Sequence, residues 1–140
     1  MTREGKPILF LVRGLPGSGK TTFVKKSNLN CVHLEADMLC EIHNSYNWKP
    51  EELRNNHGAI FEMAKIVMDR GADLVLSNTF TQRWEMTKYI SYAEDLGYNI
   101  EVYRMTNDFG NTHDVPEAAV NRMRERFEDY EGEHFVKPSF

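Results

Sequence analysis

Two kinds of segment alternate along the chain. The first kind is short and apolar at nearly every position: Pro7 to Val12, Cys31 to Leu34, Ala72 to Leu76 and Ile100 to Tyr103. Short unbroken apolar runs suit strands buried on both faces, as in parallel sheets. The second kind repeats at helical spacing. Lys20 to Lys26 reads as the start of a helix. Ile60, Met63, Ala64, Val67 and Met68 form one apolar face, on a helix that Pro50 opens and Gly71 stops. Met86, Tyr89, Ile90 and Ala93 form another, between Thr81 as a candidate cap and Gly97. Pro116 opens a last helix, with Val120, Met123, Phe127 and Tyr130 on one face. Strands that alternate with helices predict an α/β fold. Its centre is a parallel sheet of four or five strands, with helices on both sides and right-handed crossovers.

The 140 residues contain no internal repeat, low-complexity tract or composition break, so one domain over residues 1–140 is expected. Residues 130–140 are acidic and aromatic, and either dock or fray as a flexible tail. Hydrophobic residues make up 41% and charged residues 27%, enough apolar material for a packed core. The 17 Lys and Arg against 21 Asp and Glu give a net charge of -4. That balance disfavours broad coating of nucleic acid, although a local basic patch can still grip one strand end. The apolar run Ile8 to Val12 falls far short of the ~20 residues a membrane span requires. No membrane association is therefore expected. With no secretory leader read, and with Cys31 and Cys40 fitting two reduced thiols, a cytoplasmic location is expected.

The strongest chemical signal is Gly14-Leu15-Pro16-Gly17-Ser18-Gly19-Lys20-Thr21, which satisfies G-x-x-x-x-G-K-[ST]. A buried-strand pattern precedes it and a helix pattern follows, the setting this motif requires. Glycines let the backbone take positive φ and approach phosphate closely. Gly14, Pro16, Gly17, Ser18, Gly19 and Thr22 would then wrap the anion, with backbone N–H groups pointing at it. Lys20 supplies a mobile charge to the β- and γ-phosphates, and the Thr21 hydroxyl is placed to ligate Mg²⁺. The expected cofactors are ATP and Mg²⁺.

The acceptor side is less defined. Asp37 follows the second strand, where ligands gather in open α/β sheets, and is a candidate general base; Glu35 competes with it. Asp37 could instead be a plain helix cap. Ser77-Asn78-Thr79 ends the third strand, where P-loop enzymes commonly carry an acid that holds the metal or its water. Arg122, Arg124 and Arg126 lie on the last helix, with Arg122 and Arg126 on one face. Any of them could stabilise charge on a phosphoryl group in transfer, or form a solvated face. His57 and His113 show no metal-ligand spacing. Trp84, Tyr89 and Tyr92 could stack on a base, although aromatics at helical spacing more often pack in a core.

The loop Gly14–Thr22, Glu35-Ala36-Asp37, and the stretch Ser77-Asn78-Thr79-Phe80-Thr81-Gln82-Arg83-Trp84-Glu85-Met86 resemble the P-loop kinases of the polynucleotide 5′-hydroxyl kinase group and the small AAA-type ATPase domains related to them. The similarity continues through Ala93 to Tyr98, Asn111-Thr112-His113-Asp114-Val115-Pro116 and Arg122-Met123. It implies a three-layer P-loop fold with a central parallel sheet. It further implies ATP and Mg²⁺ on Lys20 and Thr21, and Asp37 as the residue that accepts the acceptor-hydroxyl proton. The implied activity is ATP-dependent phosphoryl transfer to a hydroxyl, with a nucleic-acid 5′ end as the leading acceptor. The alternatives are a small-molecule kinase for a nucleoside, nucleotide or sugar, and a non-catalytic ATP-binding or partner-regulated ATPase module. The chain departs from the family pattern at four points. Ser77 replaces an aspartate and Phe80 an asparagine, and Gly110 and Cys40 stand where arginines are expected.

Overall fold

The computed structural model describes residues 6–15, 18–27, 31–35, 50–106 and 116–136. Along the chain these form β1 (Ile8–Arg13), α1 (Lys20–Lys26), β2 (Val32–Leu34), α2 (Pro50–Asp69), β3 (Leu74–Asn78), α3 (Arg83–Asp95), β4 (Asn99–Met105), α4 (Glu117–Arg126) and β5 (His134–Val136). The strands make one parallel sheet in the order β2-β3-β1-β4-β5.

β1 and β3 lie inside the sheet, which accounts for their unbroken apolar runs. Side chains alternate between the faces of a strand. Leu9 and Leu11 therefore join Leu74 and Leu76 in a cluster with Ile60, Ala64 and Met68 of α2 and Met86, Tyr89 and Ala93 of α3. Phe10 and Val12 point the other way, onto Val24 of α1, with Val75 and Met105. The result is helix, sheet, helix: the three-layer α/β arrangement expected from the pattern. α4 packs separately, with Ala119, Val120 and Met123 against Leu15 of the loop after β1. Gly71 and Gly97, which follow α2 and α3, have φ of 74° and 84°, the left-handed conformation that ends a helix. No helix among the described residues is long and apolar enough to cross a membrane.

Three local expectations change. β3 runs on through Ser77 and Asn78, two polar residues, because its ladder with β1 continues to the pairs Val12 with Ser77 and Arg13 with Asn78. Thr81 does not cap α3. Gln82 holds the N-cap position without a side-chain cap bond, while Thr81 Oγ1 donates to Glu85 Oε2 at 2.8 Å. α4 stops at Arg126, so Phe127 and Tyr130 do not continue its apolar face. The Phe127 ring instead receives the guanidinium groups of Arg13 and Arg104, each 4.4 Å from its centroid. The chain then turns back, and β5 pairs with β4 in register Tyr103 with His134. Thr106 donates from both N and Oγ1 to the Val136 carbonyl, at 2.9 and 3.0 Å. Of the two outcomes open for residues after Asp129, docking describes the stretch through Val136.

Candidate phosphate-binding site

The site is built at the carboxyl ends of β1, β2 and β3. Gly14 leaves β1 and donates its N–H to the Thr79 carbonyl at 3.3 Å, joining the loop to the end of β3. A Cβ at Gly14 would meet Ser18 Oγ at 2.4 Å and Met105 Cβ at 3.0 Å. Glycine is required there by close approach. Gly19 takes φ 93° just before α1. Lys20 Nζ turns back over the loop and donates to the carbonyls of Gly14 at 2.9 Å and Leu15 at 3.0 Å. Ser18 Oγ is buried with no hydrogen-bond partner among the described residues. A buried orphan hydroxyl is costly unless something bonds it. A hydroxyl donor beside a lysine on a glycine-rich loop suits a phosphate oxygen. The residues present therefore fit a nucleotide's phosphate chain.

Next to this loop lies a hydrogen-bonded cluster. The register Val32 with Leu74, His33 with Val75 and Leu34 with Leu76 carries Glu35 alongside Ser77. Ser77 Oγ donates to Glu35 Oε2 at 2.7 Å. Thr21 Oγ1 donates to the same carboxylate, 3.2 Å from Oε2 and 3.4 Å from Oε1. His33 Nε2 lies 2.6 Å from Ser77 Oγ. Because Ser77 gives its single proton to Glu35, its oxygen accepts from His33, which places a proton on Nε2. Burial lowers the His33 pKa below its ordinary 6.5; Glu35 pulls it back up and Lys25 adds to the lowering.

A family model described as an AAA domain matches residues 9–108. The chain belongs to this AAA domain family. Among curated relatives, an uncharacterised protein of Pasteurella multocida (strain Pm70) is 28% identical over 131 residues, covering 82% of this chain and 73% of that protein. NEDD4-binding protein 2 of Homo sapiens is 26% identical over 137 residues, covering 88% of this chain but 8% of the human protein. Among solved structures, the Pnkp1/Rnl/Hen1 RNA repair complex aligns with TM-score 0.66 at 14% identity, over 87% of this chain and 44% of the matched chain. Kti12 of Chaetomium thermophilum in complex with ADP-AlF3 aligns with TM-score 0.65 at 13% identity, over 92% and 88%. A gluconokinase from Sinorhizobium meliloti 1021 aligns with TM-score 0.62 at 15% identity, over 97% and 84%. These likenesses establish a P-loop kinase-like fold.

The AAA domain brings some of the expected site residues together and separates others. Gly14, Ser18 and Gly19 lie on the loop and Lys20 and Thr21 open α1 beside it, while Thr22 faces solvent. Pro16, Gly17, Asp37, Cys40, Gly110 and His113 lie outside the described residues, as does the side chain of His57. Arg122, Arg124 and Arg126 are all exposed. Arg124 Nη1 donates to Asn121 Oδ1 at 2.8 Å, a local bond on the helix surface, whereas Arg126 Nε reaches the buried Thr81 Oγ1, in the turn before α3, at 3.3 Å. The expected aromatic core holds for Tyr89, which is 1% exposed, and fails for Trp84, which is 69% exposed. The Trp84 indole N–H donates to Gln82 Oε1 at 2.8 Å. Tyr92 packs at the core edge and bonds Asp69.

Two residues escaped the sequence reading. Arg13 is fully buried at the end of β1. Its signal was a charge directly after an apolar run, which is easily read as the strand's solvent end. His33 was hidden within a short strand, and only the pairing of β2 with β3 sets it against Ser77.

Proposed function

We propose that this chain binds ATP with Mg²⁺ and transfers the γ-phosphate to a hydroxyl, with the 5′-hydroxyl of a nucleic acid as the leading acceptor. The observation that carries this reading is the Gly14–Thr21 loop. There a glycine admits no side chain, the Lys20 ammonium is poised on two loop carbonyls, and the Ser18 hydroxyl is buried without a partner among the described residues. On binding, Lys20 would exchange its carbonyl partners for phosphate oxygens, and the Ser18 hydroxyl would gain one as an acceptor. Thr21 would hold the Mg²⁺, which when bound offsets charge on the phosphates.

In the transfer, the acceptor hydroxyl oxygen forms a bond to the γ-phosphorus as the bond to the β–γ bridging oxygen breaks. ADP leaves, and the hydroxyl proton passes to Asp37. The chain positions the reactants and stabilises charge, and these two effects supply most of the catalysis in phosphoryl transfer. Arg122 is the arginine proposed to act on the phosphoryl group. The other candidates are engaged elsewhere, Arg124 with Asn121 and Arg126 with Thr81.

The likeness to an RNA repair complex supports the nucleic-acid acceptor, and the likeness to a gluconokinase keeps a small-molecule acceptor as the second reading. Ser77, at the position of the family's acid, favours a third reading: an ATP-binding module without transfer. Labelled ATP with Mg²⁺, offered to 5′-hydroxyl DNA and RNA, nucleosides, nucleotides, sugars and water, tests all three. Label on an oligonucleotide that is lost in Lys20→Ala and Asp37→Asn supports the first. Label on a small acceptor alone replaces it with the second. Binding without transfer replaces it with the third.

A further inference from the structure

Ser77 lies next to last in β3, where a P-loop enzyme carries an acid for its cation, yet a carboxylate is present beside it. Glu35 reaches across from the edge strand β2, bonds Ser77 Oγ at 2.7 Å and approaches Thr21 Oγ1 at 3.2 Å. We infer that Glu35 is the acid that positions the nucleotide's divalent cation in this chain, with Ser77 and His33 as the positioning residues that aim it. This deepens the proposed ATP-binding reading and rests on it.

Three observations support the assignment. The first is reach. Glu35 follows β2 alongside Ser77 of β3, and its side chain, one methylene longer than that of aspartate, spans the gap between the strands to bond Ser77 Oγ at 2.7 Å. The second is distance. Adjacent oxygen ligands of an octahedral Mg²⁺ stand about 3 Å apart, given metal–oxygen bonds of ~2.1 Å. The 3.2 Å between Thr21 Oγ1 and Glu35 Oε2 is close to that edge. The Thr21 proton directed at Glu35 also leaves the Oγ1 lone pairs available to a cation.

The third is orientation. Glu35 is half-buried, and its carboxylate receives the Ser77 proton while Ser77 receives that of His33. Such outer partners hold a ligand's rotamer and tune its strength. Among the described residues there is no group of three or more His, Cys, Asp or Glu that could form an all-protein metal cage. One carboxylate and one hydroxyl, completed by phosphate oxygens and water, is the usual arrangement for nucleotide-bound Mg²⁺.

The test measures ADP affinity by calorimetry with Mg²⁺ and with EDTA, and Mn²⁺ affinity of the ADP complex by electron paramagnetic resonance. Variants are Glu35→Gln, Ser77→Asp and the pair combined. In the unaltered chain Mg²⁺ tightens ADP binding. Glu35→Gln is expected to weaken Mn²⁺ binding by ~10–100-fold, with ADP affinity in EDTA unchanged, which also shows that the variant is folded. Ser77→Asp alone places two carboxylates in contact and is expected to impair the site. The combined variant returns a single acid to the end of β3 and is expected to recover most of the Mn²⁺ affinity.

Metal-enhanced ADP binding that survives Glu35→Gln would overturn the inference. So would loss of phosphoryl transfer in Glu35→Gln with Mn²⁺ affinity intact, which would make Glu35 a base. Failure of the unaltered chain to bind ADP, with or without metal, would instead overturn the underlying ATP-binding reading.

Discussion

Replacing Arg13 with methionine tests how the ends of the strands are held together. The Arg13 side chain is 0% exposed. Its Nε and Nη2 donate to the Phe80 carbonyl at 3.0 and 2.6 Å, and Nη1 bonds Glu133 Oε1 at 2.8 Å. Burial lowers its pKa from the ordinary value, and the Glu133 bond opposes that shift. The contacts join residues far apart in sequence: β1, the turn after β3 and the segment before β5. Phe80 sits at φ 42°, a conformation that costs a non-glycine residue about 1–3 kcal/mol and that Arg13 helps to hold.

Methionine keeps most of the apolar stem but removes every donor. Removing one partner of a buried ion pair costs about 3–5 kcal/mol. Glu133 Oε2 retains Arg104 Nη1 at 3.2 Å and the Tyr130 N–H at 3.0 Å, so the lower end, about 3 kcal/mol, is expected. For a chain of 140 residues, with an unfolding entropy of about 2.1 cal/mol/K per residue, that lowers Tm by about 10 °C. Urea unfolding should show the midpoint falling with the slope unchanged. A double-mutant cycle with Glu133→Gln should give a coupling of about 1–3 kcal/mol. A loss below about 1 kcal/mol for Arg13→Met, or simple additivity in the cycle, would refute the clamp.

Three further outcomes follow from the packing. Gly14→Ala forces a Cβ against Ser18 Oγ and Met105, and should cost about 1–3 kcal/mol and weaken nucleotide binding, read by thermal unfolding with and without ADP. Burial pushes the Tyr89 hydroxyl up to about 12, and it has no hydrogen-bond partner among the described residues, so Tyr89→Phe should match or exceed the wild type by about 1 kcal/mol at neutral pH. In the wild type the unfolded tyrosine ionises near 10 while the folded one does not. Stability is therefore full below pH 10 and falls as pH rises from 10 toward 12. Tyr89→Phe should flatten that fall only in part, because Tyr103 is also raised to about 12, by burial and then by its bond to Glu101; urea titrations at stepped pH would show it. Trp84→Ala removes an exposed indole and should shift stability by less than about 0.5 kcal/mol, which a calorimetric scan would check.

The loop and the interior strands were legible because their signals are local. The pattern around Gly14, Lys20 and Thr21 depends on residues within eight positions, and β1 is apolar because both its faces are covered. Helix stops were legible at Gly71 and Gly97 for the same reason, since left-handed φ favours glycine. Less legible was anything set by pairing between strands. Glu35 looked like a weaker competitor of Asp37 because sequence distance says nothing about which strand lies alongside β2. Phe127 and Tyr130 fit the helical period of α4, but the guanidinium groups of Arg13 and Arg104 draw Phe127 out of it.

By itself, the sequence determined the fold class, the glycine-rich loop between β1 and α1 and the parallel character of the sheet. Each follows from backbone sterics and from hydrophobic periodicity, which act over a few residues. The tertiary structure decided the strand order β2-β3-β1-β4-β5, the burial of Arg13 and the docking of β5. It also set the Glu35 carboxylate beside Thr21. These depend on desolvated charges finding partners across the chain, and a buried guanidinium or carboxylate is stable only where distant segments bring it donors and acceptors.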